Sequence, residues 1–244
     1  MIRQLEELSL GAWPALQTIL HDGWILRLAS GYTRRSNSVS PLYPGSLPVE
    51  DRIDFCERLY REHKQPAIFK LTDAVEPHDL DARLASRGYA KEAPTIVMTA
   101  PLAFSDHSPS PRIGEFHTCA NEWLSAYTTL NSVPQQHQPT LARIISTIPF
   151  PLCCAMLMQD NLPLSCGMAV LQQHHVGLFD IVTHPAHRQK GLATELLHHL
   201  LDWSASKGGT RAYLQVFSTN TPAQTLYRKL GFAPSHPYWY RIKP

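Results

Sequence analysis

Charged residues are scarce in this sequence, and neither sign predominates. Lys and Arg number 22 and Asp and Glu number 20 among 244 residues, so the formal net charge is +2. A protein that binds nucleic acid through its phosphates needs an excess of Lys and Arg. A disordered chain needs a lower apolar fraction than the 43% found here. We therefore expect a folded protein with a packed core and no nucleic-acid partner.

Cysteine is also rare, and long hydrophobic runs are absent. The five cysteines are odd in number and none are spaced C-x-x-C, so neither a disulfide framework nor a thiolate zinc site is indicated. The longest apolar tract, residues 149–171, is interrupted by Gln159, Asp160 and Asn161. Residues 1–13 carry acids where a signal peptide needs an apolar stretch. These features predict a cytoplasmic protein with no membrane partner.

In the C-terminal third, a strand pattern gives way to a helix pattern. Gly177–Thr183 is apolar and β-branched, which is typical of a buried strand, and Pro185 ends it. From Leu192 onward, apolar residues recur at helical spacing until Gly208. The sequence therefore predicts a strand, a short turn and a long helix.

The turn before this helix, residues 188–193, has the features of an anion site. The first N–H groups of a helix lack partners within it, and they lie at the positive end of its dipole. Arg188 and Lys190 add positive charge, and Gly191 lets a ligand approach the backbone. The turn therefore favours a phosphate group, although a glycine that merely permits a tight bend explains the same residues.

A second strand and a second helix follow. Arg211–Phe217 has a strand pattern, and Thr221 and Pro222 form a helix start signal. Asn220 lies just before this helix, and Gly231 ends it. The sequence predicts a final strand after Gly231.

These two segments together resemble the GNAT superfamily of acetyl-CoA-dependent N-acetyltransferases. The run V-T-H-P-A-H-R-Q-K-G-L-A matches that family's pyrophosphate-binding signature, (Q/R)-x-x-G-x-(G/A), at Arg188, Gly191 and Ala193. The second segment matches the family pattern N-x-x-A-x-x-x-Y-x-x-x-G-F at Asn220, Ala223, Tyr227, Gly231 and Phe232. Two matches in this order, with a strand between them, make residues 113–243 similar to a GNAT domain.

The resemblance implies that acetyl-CoA is the acyl donor and lies where two neighbouring parallel strands, residues 177–183 and 211–217, splay apart. It also implies that Tyr227 protonates the departing thiolate, although a packed aromatic on a helix face is the alternative reading of this residue. The cofactor-binding residues that the resemblance implies are Ile181, Val182, Thr183, Arg188, Gln189, Lys190, Gly191, Leu192, Ala193, Thr194, Asn220 and Tyr227.

A general base is also required, because the attacking amine must lose a proton. Asp180, on the first of the two strands, is the nearest acidic candidate and is our predicted second catalytic residue. His174 and His175 are alternatives. All three also fit structural or surface roles.

A shift of about 143–145 residues aligns the N-terminal half with the C-terminal half. Predicted helices at 50–63 and 77–87 then match the two C-terminal helices, and residues 95–98 match the terminal strand. The predicted fold class is therefore α/β, with two GNAT-like domains. Each is a mixed, mostly antiparallel sheet flanked by helices, and splayed parallel strands form the cofactor cleft in the C-terminal domain.

The predicted domains are residues 1–103 and 112–244, joined by a linker at Ser105–Pro111. The first domain is predicted to be non-catalytic, because Pro44, Leu47 and Val49 replace the residues of the phosphate turn and Leu84 replaces Tyr227. The second domain is predicted to carry the activity.

One polar stretch in the N-terminal half is a candidate substrate site. Residues 23–42 read as a hairpin around Ser30 and Gly31, and Arg34, Arg35 and Asn37 follow the turn. These side chains suit a carboxylate-bearing substrate. A polar strand edge or a contact between domains explains them equally.

No metal site is expected from the thirteen histidines, which form no H-E-x-x-H motif. His198 and His199 are expected on the solvated face of the predicted helix. The predicted activity is direct transfer of acetyl from acetyl-CoA to a primary amine of a small molecule or peptide. The alternatives are a GNAT-fold module that binds an acyl-CoA without turnover, and an acyltransferase with a longer acyl donor or a thiol acceptor. The sequence indicates no oligomeric state.

Overall fold

The computed structural model describes residues 1–102 and 110–243, and the chain is a mixed α/β protein as predicted. Residues 105–109 of the predicted linker lie outside the described residues. Two compact units are present, and each is built from more than one segment of the chain. None of the described helices is long and apolar enough to cross a membrane.

The first unit comprises Met1–Val97, Val216–Asn220 and the residues from Ser235 onward. Its strands occupy the sheet in the order β1 (Gln17–His21), β2 (Trp24–Leu28), β3 (Val39–Pro41), β4 (Ile68–Thr72) and β11 (Ala233–Ile242). Among these neighbours only β3 and β4 pair in parallel. Its core gathers large apolar side chains, among them Trp24, Ile53, Phe69 and Leu84. The elements are α1 (Ile2–Ala12), β1 (Gln17–His21), β2 (Trp24–Leu28), β3 (Val39–Pro41), α2 (Val49–Glu62), β4 (Ile68–Thr72), α3 (Leu80–Ser86), most of β5 (Ala90–Pro101) and most of β11 (Ala233–Ile242).

The second unit comprises Met98–Gln215 and Thr221–Pro234. Its strands occupy the sheet in the order β6 (Ile113–Phe116), β7 (Leu152–Gln159), β8 (Leu162–Gln172), β9 (His175–Thr183) and β10 (Arg211–Phe217). They are antiparallel throughout except between β9 and β10. The buried side chains of Leu196, Leu197 and Leu200 on α6 (Leu192–Ser206) face these strands. The elements are β6 (Ile113–Phe116), α4 (Asn121–Leu130), α5 (Gln138–Ser146), β7 (Leu152–Gln159), β8 (Leu162–Gln172), β9 (His175–Thr183), α6 (Leu192–Ser206), β10 (Arg211–Phe217) and α7 (Thr221–Lys229).

The order of elements repeats along the chain at a nearly constant spacing. The first residues of α2 and α6, of β4 and β10, and of β5 and β11 are each 143 positions apart. In both series a helix connects two parallel strands, β3 to β4 and β9 to β10. The helices and strands that the internal comparison predicted in the N-terminal half are therefore present.

The final strand departs from the sequence-based domain boundaries. Tyr238, Tyr240 and Ile242 of β11 lie opposite Thr72, Lys70 and Ile68 of β4, in antiparallel register. The residues from Ser235 onward therefore belong to the first unit, whereas the sequence placed residues 112–244 in one domain. A hydrophobic pattern predicts a strand but not the strand with which it pairs.

Buried charges hold β11 in the first unit. Lys70 Nζ donates to Glu6 Oε2 over 2.5 Å, and His236 Nε2 lies 3.3 Å from Glu6 Oε1. All three side chains are buried. Burial alone would raise the pKa of the Glu6 carboxyl, but the Lys70 charge and the His236 hydrogen bond outweigh it and lower that pKa. Glu6 therefore stabilises the folded state at neutral pH, and the contribution is lost as the pH falls through its folded pKa.

We expect Lys70→Met to lower the free energy of unfolding by about 3–5 kcal/mol, because it leaves the Glu6 carboxylate buried beside His236 alone. Urea denaturation monitored by far-ultraviolet circular dichroism measures this change. Arg83→Met is the control, since Arg83 pairs with Glu50 and Asp79 through an exposed side chain and its loss should cost far less. Equal effects of the two substitutions would contradict the role given to the buried ion cluster.

Candidate active site

Two parallel strands of the second unit pair over only part of their length. The ladder between β9 and β10 joins His175–Leu178 to Arg211–Leu214. Past this ladder, β9 continues to Thr183 and β10 to Phe217. Backbone groups of residues 181–183 that face β10 therefore have no partner in this ladder, and a ligand lying between the strands could pair with them. This is the splayed strand pair that the family resemblance implied.

A β-bulge turns the end of β9 away from the regular ladder. Cys166 lies opposite Val182 and Met168 lies opposite Phe179, so Asp180 and Ile181 together face Gly167. Asp180 has a φ of 55°, in the left-handed region that Asp and Asn tolerate best among non-glycine residues. A Cβ at Gly167 would lie 2.5 Å from Cδ1 of Ile181, so any larger residue at this position would displace the Ile181 side chain. This bulge was not predicted from the sequence.

The predicted anion turn is formed at the start of α6. Gly191 is the N-cap residue with a φ of 80°, which only glycine adopts without strain. Among the described residues no side chain caps the helix, and the first-turn bond runs from the Glu195 N–H to the Gly191 carbonyl. A Cβ built on Gly191 meets no atom of the described residues within 4 Å, so the position of this glycine is open. The next N–H groups, of Leu192, Ala193 and Thr194, are the ones that a helix start leaves without partners inside the helix.

Two positive side chains, Arg188 and Lys190, lie in the turn that precedes this helix. Both are exposed, as is Gln189 between them. Arg188 Nε donates to the carbonyl of Thr183 over 3.4 Å, which joins the turn to the end of β9. Ser165 Oγ donates to the Val182 carbonyl over 2.8 Å and fixes the same strand end from the side of β8. A side-chain hydrogen bond therefore links the turn before α6 to the end of β9.

Tyr227 is a buried phenol on α7. Its ring packs edge-on against Phe232, with centroids 6.1 Å apart. Burial raises the pKa of Tyr227 to about 12, so the hydroxyl keeps its proton at neutral pH. The hydroxyl makes no hydrogen bond to any residue that the structure describes. Asn220, predicted to contact the cofactor, directly precedes the helix.

The candidates for a general base are separated along β9. Asp180 lies in the bulge, two residues before Val182. His175 begins the strand, roughly 16 Å from Asp180 at the usual rise per residue. His174 Nδ1 contacts the Gly208 carbonyl beyond the far end of α6. Only Asp180 among the three predicted candidates therefore lies near the end of β9 that faces the turn.

The predicted substrate residues of the N-terminal half have partners within the first unit. Asn37 Oδ1 accepts from the N–H groups of Ala29 and Gly31, and its Nδ2 donates to the carbonyls of Tyr32 and Thr33. The Asn37 amide has no donor or acceptor left for a substrate, so its role in this loop is structural.

The two neighbouring arginines are also engaged in the first unit. Arg34 donates to Glu92 over 2.7 Å. Arg35 lies over the ring of Trp13, 4.7 Å from its centroid. These contacts favour the polar-edge interpretation of the stretch over the substrate interpretation.

Comparisons of the sequence agree with this geometry. Residues 1–241 match the family described as "Probable histone acetyltransferase Rv0428c C-terminal". The chain is 30% identical over 248 residues to a Bacillus subtilis protein named as an uncharacterized N-acetyltransferase, YobR. That alignment covers 99% of this chain and 98% of YobR.

Solved structures share the fold at low sequence identity. A GCN5-related N-acetyltransferase from Kribbella flavida superposes with a TM-score of 0.74 at 13% identity, covering 99% of this chain and 95% of that one. A tandem GNAT protein from the clavulanic acid biosynthesis pathway gives a TM-score of 0.65 at 14% identity, covering 98% and 88%. The open helix start, the splayed strands and the match over nearly the whole chain lead to one conclusion: this protein belongs to the Rv0428c C-terminal acetyltransferase family and is an acyltransferase of the GNAT type.

Proposed function

We propose that this enzyme transfers an acetyl group directly from acetyl-CoA to a primary amine of a small molecule or peptide. The observation that carries the proposal is the uncapped start of α6, open at Gly191, next to a strand end whose ladder with β10 has stopped. The helix start suits an anion, and the strand end suits an extended polar chain. These match the pyrophosphate and the amide-containing arm of coenzyme A.

The chain's own residues fit this donor. The N–H groups of residues 189–194 would hold the pyrophosphate, with Arg188 and Lys190 supplying charge. The backbone of Ile181, Val182 and Thr183 would pair with the amide-containing arm, and Asn220 would add a side-chain contact. When bound, acetyl-CoA supplies the acetyl group and a thiol leaving group.

Two side chains would move the protons. Asp180, in the bulge, would take a proton from the attacking amine. Tyr227, kept protonated by its raised pKa, would give its proton to the departing sulfur. Backbone N–H groups near the bulge would stabilise negative charge on the acetyl oxygen.

The cysteines support direct transfer over a covalent thioester. Burial raises the pKa of all five thiols, so none is activated as a thiolate nucleophile. All five are also free thiols, which supports the cytoplasmic location that forms part of this proposal.

The first unit would be the non-catalytic member of a tandem pair. The turn before α2 corresponds to the turn before α6 by the constant spacing. Its N–H groups at Ser46 and Leu47 each donate to the Asp22 carboxylate over 2.9 Å. These hydrogen bonds lower the pKa of Asp22, and Arg52 pairs with the same carboxylate. The protein's own anion therefore takes the place that a phosphate would occupy, and Glu50 and Asp51 in the first turn of α2 would repel one.

We expect the wild-type protein to bind one CoA per chain in a calorimetric titration and Gly191→Glu to abolish the binding, through its side-chain bulk and negative charge at the helix start. Gly208→Glu is the matched control. Gly208 follows the same helix with a φ of 89°, and a Cβ there also meets nothing within 4 Å. The two variants carry the same backbone strain, so retained binding by Gly191→Glu, or equal loss in both, would contradict the assigned site.

For the acid, we expect Tyr227→Phe to lower turnover by about 10²–10⁴-fold while acetyl-CoA affinity changes little. Thiol release across a panel of amines, peptides and thiols first identifies an acceptor. Turnover with that acceptor is then compared between the wild type and Tyr227→Phe. Tyr89→Phe removes a buried hydroxyl from the first unit, where Tyr89 contacts Glu57, and should retain turnover. Undiminished turnover in Tyr227→Phe would mean that water or another residue donates the proton to the departing sulfur. Tight binding without transfer to any acceptor would favour the non-catalytic alternative.

For the base, Asp180→Asn should reduce turnover by about 10²–10⁴-fold and remove the acidic limb of the pH dependence of kcat/KM. Asn keeps the size of the side chain and tolerates the left-handed backbone. Asp160→Asn is the control, because Asp160 has a φ of 50° and lies exposed in the turn between β7 and β8. A normal pH profile in Asp180→Asn would show that another group or a water accepts the proton.

A further inference from the structure

Three potential metal ligands from distant parts of the sequence meet beside α6. Glu115 lies on β6, Cys153 on β7 and His199 on α6. Their carboxylate oxygen, sulfur and ring nitrogen all lie within 4.8 Å of one another. The His199 side chain is only 11% exposed, so its expected place on the solvated face of α6 was wrong. The sheet pairing of β6 with β7 and the packing of α6 on β7 bring these atoms together.

The contact between His199 and Glu115 is close without being a hydrogen bond. His199 Nε2 lies 2.8 Å from Glu115 Oε1. The same nitrogen is buried and has no aligned hydrogen-bond partner among the residues that the structure describes. A buried ring nitrogen without a partner is costly, and an ion shared with the neighbouring carboxylate would satisfy it.

The three ligand types match zinc chemistry. Zinc takes thiolate sulfur at about 2.3 Å, histidine nitrogen at about 2.0–2.1 Å and carboxylate oxygen at about 2.0–2.2 Å, in tetrahedral geometry. Around one ion, these lengths place the ligand atoms roughly 3–4 Å apart. Small side-chain rotations would close the observed cluster to that spacing. Magnesium and calcium prefer oxygen ligands only, so a site with sulfur and imidazole selects against them.

A fourth ligand is close by. His117 Nε2 lies 3.6 Å from the second carboxylate oxygen of Glu115. The His117 ring stacks on Trp203 of α6, with centroids 6.3 Å apart and planes inclined by 22°. His117 Nδ1 also contacts the Leu152 carbonyl over 3.4 Å, and the two contacts together keep the imidazole next to the cluster.

We propose that Glu115, Cys153 and His199 form a structural zinc-binding site, with His117 or a water molecule completing the tetrahedron. The site would join β6 and β7 to α6, the helix whose first turn forms the anion site. Arg112 and Ser110, just before β6, already reach the same helix through Glu195. The ion therefore serves to hold α6 in position, and the prediction of a protein without metal is replaced by this proposal.

Cobalt substitution tests the site without reference to acetyl transfer. We expect the chelator-treated protein to bind one Co²⁺ per chain and to develop a near-ultraviolet thiolate-to-cobalt charge-transfer band, with visible bands typical of tetrahedral geometry. Zn²⁺ should displace Co²⁺ and raise the melting temperature. An absent thiolate band, or no stoichiometric Co²⁺ binding, would overturn the proposal.

Adjacent cysteines provide a matched pair of variants. Cys153→Ala should abolish the charge-transfer band, whereas Cys154→Ala should keep it, because neighbouring residues of a strand point to opposite faces of the sheet. Glu115→Gln changes a partly exposed position on an edge strand and should weaken Co²⁺ binding at least about tenfold with the fold intact. A band that survives Cys153→Ala, or that Cys154→Ala removes equally, would refute the assignment.

Discussion

Every peptide group that leaves a β-ladder must find another partner, and this constraint shapes the second unit. The β9–β10 ladder stops at Leu178 and Leu214, and the bulge at Asp180 and Ile181 bends the strand end that follows. Because water or a ligand must satisfy these groups, the interrupted sheet becomes a binding edge. The start of α6 follows the end of the same strand, so the proposed phosphate site and the proposed backbone-pairing site belong to one connected segment of chain.

The two units share one supersecondary pattern but differ in the turn before the helix. Both place a turn and a helix between two parallel strands. In the second unit the turn has a glycine with open space before it. In the first unit, hydrogen bonds from Ser46 and Leu47 hold the Asp22 carboxylate. A covalently tethered anion has little translational freedom to lose, so an external phosphate competes with it poorly. The proposed division of labour between the units thus has a local electrostatic explanation.

The patterns that depend on near neighbours in the chain predicted β9, α6, β10 and α7 closely, because hydrophobic period and cap residues act over a few positions. Features that depend on distant pairing were missed. The bulge requires knowledge of which residue faces Gly167, and the partner of β11 requires knowledge of the sheet order. Asn37 reads as a polar surface residue until its four backbone partners are known. The grouping of Glu115, Cys153 and His199 has no motif, since each ligand comes from a different element.

The pairing of β11 with β4 also bears on how the protein folds during synthesis. Residues emerge from the ribosome in order, and domains generally fold as their last segment becomes available. Here the sheet of the first unit gains β11, and Glu6 and Lys70 gain His236, only after the elements of the second unit have been translated. Until then, the edge of β4 that pairs with β11 is exposed. The ion pair between Lys70 and Glu6 also lacks its contact with His236. A nascent chain with such an edge depends on rapid completion or on chaperone protection to avoid pairing with other chains.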